Sequence, residues 1–401
     1  MLNTLNDVLN NVDNFIWGMP LIILILFTGI LLTVRLRGLQ IRHLGKALHY
    51  VFHNEDDGEG EVTSFGALCT ALSATIGTGN IVGCATAIVA GGPGALFWMW
   101  LAAFFGMATK YAEGMLAVKY RVIAEDGHAL GGPFYYIEKG MGKNFKWLAK
   151  LFCVFGTMVG LFGIGTFTQV NGITSAVNNF FDPSNVHTIS LFGMNYSISV
   201  VVAGIIVTIC AGLVIIGGIK RISKVSEVIV PFMAVTYIGV CLIIVFTHLP
   251  QVPAAFAEIV QSAFGLKAVA GGAIGAMTVA MQKGIARGIF SNEAGLGSAP
   301  IAAAAAQTNE PVRQGLVSMT GTFIDTIIVC TMTGLAIVMT GAWDMGLEGV
   351  AVTTKAFALG LPFPAKASAF VLMMCLVFFA FTTILGWAYY SERCLEYLVN
   401  G

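Results

Sequence analysis

Charge is scarce in this chain. Of 401 residues only 10% are Asp, Glu, Lys or Arg, against about 25% in soluble domains. Hydrophobic residues make up 57%, and the mean hydropathy is +0.82. That shortage excludes a soluble globular domain and implies an all-α integral membrane protein. The charge that is present balances, 21 basic against 21 acidic residues, so nothing points to a nucleic-acid partner. The eight cysteines have neither CxxC spacing nor a histidine cluster, which argues against a disulfide framework or a zinc site. They read as small apolar packing residues. A secretory leader is also lacking: the first apolar segment is of spanning length, with no basic n-region or cleavage site. Motifs for membrane-embedded catalysis (HExxH, Gly-x-Ser-x-Gly, a pair of aspartates) are missing too, so the chain does not read as an enzyme.

Long apolar runs are what the chain has. A spanning helix needs about 20 apolar residues, and about nine segments qualify: 15–34, 63–90, 94–118, 148–180, 197–217, 225–247, 256–283, 314–341 and 367–390. Segment 148–180 exceeds one span. Seventeen Lys and Arg follow segments one, three, five, seven and nine, while Lys267, Lys355 and Lys366 fall on the other side. By the positive-inside rule the N-terminus is outside and the C-terminus inside. Residues 54–61 form an acidic linker, 121–147 a Gly-rich loop, and 342–366 a loop able to hold a short helix.

The most informative run is Ala74-Thr75-Ile76-Gly77-Thr78-Gly79-Asn80-Ile81, in the middle of the second segment. An unpaired amide in hydrocarbon costs several kcal/mol, so a break is tolerated only where protein, water or ligand satisfies it. Two half-helices, 63–76 and 80–90, would offer amides of Gly77, Thr78 and Gly79 to a carboxylate. The carbonyl end around Ser73, Ala74 and Ile76 would suit a small hard cation such as sodium. A glycine-mediated kink or helix contact is the competing explanation.

Other polar groups lie in apolar segments. Gln169 and Asn171 in the fourth bond either a substrate or another helix. Gly271-Gly272-Ala273-Ile274-Gly275, preceding Met277, Thr278, Met281 and Gln282, reads as a second Gly-interrupted span, a pairing expected of inverted-repeat transporters. Asp325 lies about 16 Å into the eighth segment, where an acid is functional by default; it reads as a cation ligand, a proton carrier or half of an internal polar pair. Thr382 and Thr383 offer two adjacent hydroxyls to a cation, or bond back to their own helix. Lys110 and Glu113 read as a local ion pair or gate.

These strings together resemble the alanine or glycine:cation symporter family, the sodium:alanine symporters. The resemblance rests on Ala74-Thr-Ile-Gly-Thr-Gly-Asn80, Gly91-Gly-Pro-Gly-Ala-Leu-Phe-Trp98, Ala108-Thr-Lys-Tyr-Ala-Glu113, Gly131-Gly-Pro133 and Phe290-Ser-Asn-Glu-Ala-Gly-Leu-Gly-Ser-Ala-Pro300, and it covers essentially the whole chain. It implies membership of the amino acid–polyamine–cation superfamily. The implied fold is the leucine-transporter-type five-plus-five inverted repeat with one extra N-terminal span (15–34), a first repeat over 63–247 and a partial second over 256–390, in a single transporter domain. The implied activity is sodium-coupled symport of small neutral amino acids, chiefly alanine and glycine, by alternating access in the cell membrane of a prokaryote. Sodium is the coupling ion, lipid the surroundings, and no cofactor is implied.

Carried over by motif, the substrate site would comprise Thr75, Gly77, Thr78, Gly79, Asn80, Phe167, Gln169, Met277, Thr278, Met281 and Gln282. The sodium site would comprise carbonyls near Ser73 and Ile76 with the Thr382 and Thr383 hydroxyls, and Asp325 would be a ligand for a second cation. Family members continue for two further spans beyond Gly386-Trp387-Ala388-Tyr389-Tyr390-Ser391-Glu392-Arg393, whereas this chain stops at Gly401. The second repeat would then hold three helices rather than five, through truncation or true absence. Proton coupling, or a non-transporting channel or scaffold, are the alternative functions.

Overall fold

Residues 64 to 91 do not form one straight helix. In the computed structural model of the chain, which describes residues 2–53, 58–124, 127–191, 193–266 and 272–400, this segment splits at its centre. The chain runs through α1 (Leu2–Ile16), α2 (Met19–Arg35), the short α3 (Leu39–Arg42) and α4 (Leu44–Phe52) before reaching α5 (Ser64–Thr75) and α6 (Cys84–Gly91). Thr63 starts α5, accepting the Gly66 N–H at 2.9 Å, as N-capping residues do. After Thr75 the helix opens, re-forms as a π-turn over Gly79–Gly83, and continues as α6 bent by 52° from α5.

The rest is helical apart from two short hairpins. α7 (Gly94–Tyr120) leads to α8 (Pro133–Tyr136), α9 (Lys146–Phe162), α10 (Phe167–Phe181), α11 (Ile198–Ile215), α12 (Gly218–Thr247) and α13 (Val252–Ala263). Then come α14 (Ala273–Asn292), α15 (Ala299–Ala303), α16 (Pro311–Thr322), α17 (Thr331–Thr340), α18 (Val350–Gly360) and α19 (Ala365–Asn400). A π-helical stretch over Phe323–Cys330 joins α16 to α17 without a break. Val122–Ile123 pairs antiparallel with Ala129–Leu130, and Thr188–Leu191 with Met194–Ser197. Among the described residues, five helical stretches are long and apolar enough to cross a membrane, and the bent pair α5–α6 makes a sixth.

Two long segments are interrupted. Segment 148–180 is interrupted at Gly163–Thr166, giving α9 and α10; Gly163 and Gly165 flank a turn in which the amides of both reach the Val159 carbonyl. Segment 256–283 is likewise not one helix. It holds the end of α13 and the start of α14, and Lys267 and Gly271 lie outside the described residues. The interruption of α14 falls later, at Asn292–Ser298, where Glu293, Gly295 and Gly297 all have positive φ (56°, 89° and 78°). Three left-handed residues in five cannot continue a right-handed helix. Lys283 and Arg287, expected in the loop after segment seven, instead lie within α14, beside Ala87 and Ala90 of α6.

Burial sorts the helices. α11 buries only Ala203, Val207 and Ala211, and Ile205, Ile206, Ile209 and Leu213 stand exposed. α12 likewise exposes Val228, Phe232 and Val235. Apolar faces of this extent suit lipid. In contrast, α7 lies along both α14 and α16 at the centre, and α5 packs against α12, α19 and α16. At one end of the bundle the strand before α5 runs beside the strand after α15, with a parallel bridge between Val62 and Ala306. Arg121 fastens that joint: its guanidinium donates to the carbonyls of Glu59, Ala304, Ala306 and Thr308 at 2.6–2.8 Å.

Candidate substrate and cation site

The opened turn after Thr75 is closed by side chains. The Gly77 N–H donates to Asn80 Oδ1 at 2.9 Å, and the Thr78 N–H donates to Gln169 Oε1 on α10 at 3.3 Å. Gln169 is held there because its own Nε2 donates to the Ile164 carbonyl in the α9–α10 turn. Sequence reasoning offers these amides to a carboxylate; in this structure two amide-bearing side chains already present carbonyl oxygens to them. A carboxylate arriving here replaces like with like.

Asn80 reaches further. Its Nδ2 donates to Asp325 Oδ1 at 2.7 Å. The other oxygen, Oδ2, accepts from Ser291 on α14 at 2.9 Å and from Thr326 at 2.7 Å. Asn292 donates on to Thr326. Asp325 is fully buried, and its three donors come from the first break, the end of α14 and its own π-turn. A buried carboxylate is tolerable only when hydrogen-bonded in this way. The π-turn matters too, because such bulges cluster at functional sites.

The second break is also self-satisfied. The Glu293 carboxylate accepts from Ser298 Oγ and, at 3.2 Å, from Trp387 Nε1 of α19. The Gly297 N–H donates to Glu113 Oε1 of α7 at 3.1 Å. A cavity of about 260 Å³ lies here, bordered by Ile164, Phe290, Glu293, Leu296 and Trp387.

α19 brings hydroxyls to the first break. Thr383 Oγ1 lies 3.4 Å from the Ile76 carbonyl and 3.0 Å from its own Phe379 carbonyl. The approach depends on glycine at both contacts. A Cβ on Gly77 would fall 2.4 Å from Thr383 Oγ1, and one on Gly386 would fall 2.7 Å from Ala74. A carbonyl oxygen and a hydroxyl oxygen at the end of a helix, where the dipole is negative, form a hard-oxygen set that fits sodium. Thr382 points elsewhere, its hydroxyl bonded to Phe379 and facing Met233 of α12. Ser73 and Thr75 spend their hydroxyls on α5 carbonyls.

The remaining expected site residues are placed apart from the break. Phe167 is 60% exposed and packs on Phe162; two positions from Gln169, it lies about 200° around the helix. Thr278 is half-buried and bonds the Ile274 carbonyl. Met277 and Met281 are half-buried on the same stretch of α14, about three to four turns from Asn292. Gln282 lines a separate cavity of about 240 Å³ with Trp17, Thr86, Lys283 and Arg287. Sequence reasoning did not single out Ser291, Glu293, Thr326 or Trp387. The signal was present: an acid and two glycines in Asn292-Glu-Ala-Gly-Leu-Gly-Ser298, inside an apolar run.

Comparison with known proteins places the chain in a family. The sodium:alanine symporter family matches residues 2–401. An uncharacterized transporter of Haemophilus influenzae is 58% identical over 399 residues, covering 99% of this chain and 83% of that protein. The sodium/alanine symporter AgcS of Methanococcus maripaludis is 46% identical over 402 residues, covering 98% of this chain and 84% of the relative. A probable sodium/glutamine symporter, GlnT of Bacillus subtilis, is 38% identical, with 99% and 78% covered. The chain therefore belongs to the sodium:alanine symporter family, a family of multi-pass membrane transporters that carry amino acids by symport rather than enzymes.

Proposed function

We propose that this protein couples sodium entry to uptake of a small neutral amino acid, alanine or glycine. The observation that carries the reading is convergence. Two interrupted helices meet at Asp325 through Asn80 and Ser291, and a threonine of α19 stands against the carbonyl end of the first break. Paired broken helices are the usual binding-site architecture of inverted-repeat transporters. In this reading α5–α6 is the first core helix of a five-plus-five repeat and α14–α15 the sixth, with α2 an added span. The N-terminus lies outside a prokaryotic cell membrane and residue 401 inside.

The substrate carboxylate displaces Asn80 Oδ1 and Gln169 Oε1 from the Gly77 and Thr78 amides. Sodium takes the Ile76 carbonyl and the Thr383 hydroxyl. A cation there stabilises the carbonyl end of the break, so each ligand strengthens binding of the other by the same factor. A bulky substrate side chain has little room, because Gly172 of α10 already lies against the Thr78 methyl.

The test is uptake of labelled alanine by proteoliposomes, with and without an inward sodium gradient and against an excess of each other amino acid. Uptake that ignores the sodium gradient sinks the coupling. A proton gradient driving uptake in sodium-free buffer favours proton coupling through Asp325. Competition by glutamine as strong as by alanine reassigns the substrate.

A further inference from the structure

Lys110 is not accounted for by this site. It lies on α7, is 3% exposed, and its Nζ has no hydrogen-bond partner among the described residues. An ammonium removed from water without a partner costs several kcal/mol, and ionisable groups inside spanning segments are functional by default. The side chain borders a small cavity with Thr75 at the end of α5, Asn292 at the end of α14, and Gln314 and Ser318 of α16. It therefore sits where both broken helices open.

Glu113, one turn further on, does not neutralise it through a hydrogen bond. Its Oε1 is taken by the Gly297 amide, and its Oε2, like Lys110 Nζ, has no partner. The expected local ion pair is thus not a bonded pair. Three carboxylates are buried with Lys110 at the two breaks: Glu113, Glu293 and Asp325. Three carboxylates against one ammonium leave a formal charge of −2 when all are ionised. Such an excess, buried in a low dielectric, attracts cations strongly.

We propose that Lys110 is a tethered cation that sets the sodium affinity of the site by offsetting part of this buried negative charge. The inference rests on the sodium-coupled reading above. A lysine suits the task, because a compact point charge on a flexible stem works without fixed hydrogen-bond geometry. Its repulsion of an arriving sodium ion keeps that ion weakly enough bound to be released.

The experiment is direct binding of radiolabelled sodium to the purified full chain in detergent, without substrate. Lys110→Met should tighten sodium binding roughly ten-fold, the scale of one unit charge over about 10 Å at an effective dielectric of about 20. Lys110→Arg, which keeps the charge, should stay within about two-fold of the unsubstituted protein. Glu113→Gln, which removes a negative charge, should weaken binding by a factor similar to the gain in Lys110→Met. Opposite shifts are the signature, since a merely structural role weakens binding in both variants. Unchanged or weaker binding in Lys110→Met overturns the proposal. Should that variant not fold, unchanged or tighter binding in Glu113→Gln does so alone. No sodium binding by the unsubstituted protein overturns the sodium reading itself and this inference with it.

Discussion

The two helix breaks solve the same problem with opposite chemistry. At the first, Gly77–Asn80, the opened backbone is closed by neutral amide side chains, Asn80 and Gln169. At the second, Asn292–Ser298, Asn292 Oδ1 takes the Ala294 amide, but the Gly297 amide goes to the Glu113 carboxylate, and the Glu293 carboxylate takes side-chain donors from Ser298 and Trp387. The first presents donors already paired with exchangeable oxygens. The second carries carboxyl groups, one of them with its own donors in Ser298 and Trp387. A zwitterion has two ends of opposite sign, and a pair of breaks that differ in sign suits it better than two alike. Asp325 stands between them and takes a donor from each side.

Placing charge where the first break is neutral tests this contrast most severely. Asn80→Asp sets a second carboxylate against Asp325, where the present contact is 2.7 Å. The expected loss is about 3 kcal/mol or more of stability, seen as a lower melting temperature in detergent or as failure to purify. Gly77→Ala drives a methyl into Thr383, and uptake should fall about 100-fold, the scale of a small displacement at a reacting or binding centre, with expression retained. Thr383→Val removes one oxygen from the cation end of the first break, and half-maximal sodium for uptake should rise about ten-fold. Glu293→Gln at the second break keeps both hydrogen-bond partners in reach, so stability should change by only about 1 kcal/mol, while alanine affinity falls if this break holds the ammonium.

The smallest effect is expected outside both breaks. The Val186 and His187 amides hold the Asp182 carboxyl below its usual range. Its contribution is present at neutral pH and fades only as pH falls through that lowered value. Proteolysis of the 182–197 hairpin should therefore be flat from pH 5 to 8.

Much of the first break was legible because its signals are local. Gly-Thr-Gly-Asn inside an apolar run cannot remain a plain helix, and its half-helix bounds fall within a few residues of α5 and α6. The break at Asn292–Ser298 was not read from the sequence, for a physical reason. Gly271, Gly272 and Gly275, like Gly295 and Gly297, are closely spaced glycines in apolar surroundings, and periodicity does not say which departs from the helix. What separates them is tertiary: Glu113 and Trp387 lie far off in sequence, and their bonds hold the later break open. Gln169 was legible as a costly buried amide, whereas its neighbour Phe167 was not assignable to a face until the turn at Gly163–Thr166 fixed the rotation of α10. Of the two adjacent threonines, Thr383 alone reaches the break, because residues one apart on a helix point about 100° from each other.

The clamp at Arg121 has a mechanical consequence. It binds carbonyls from the strand entering α5 and the strand leaving α15, which already run side by side at Val62 and Ala306. Those strands are the outer ends of one half of each broken helix. The two half-helices on that side, α5 and α15, are therefore tied to each other at a common post, while on the other side α6 and α14 pack directly on one another.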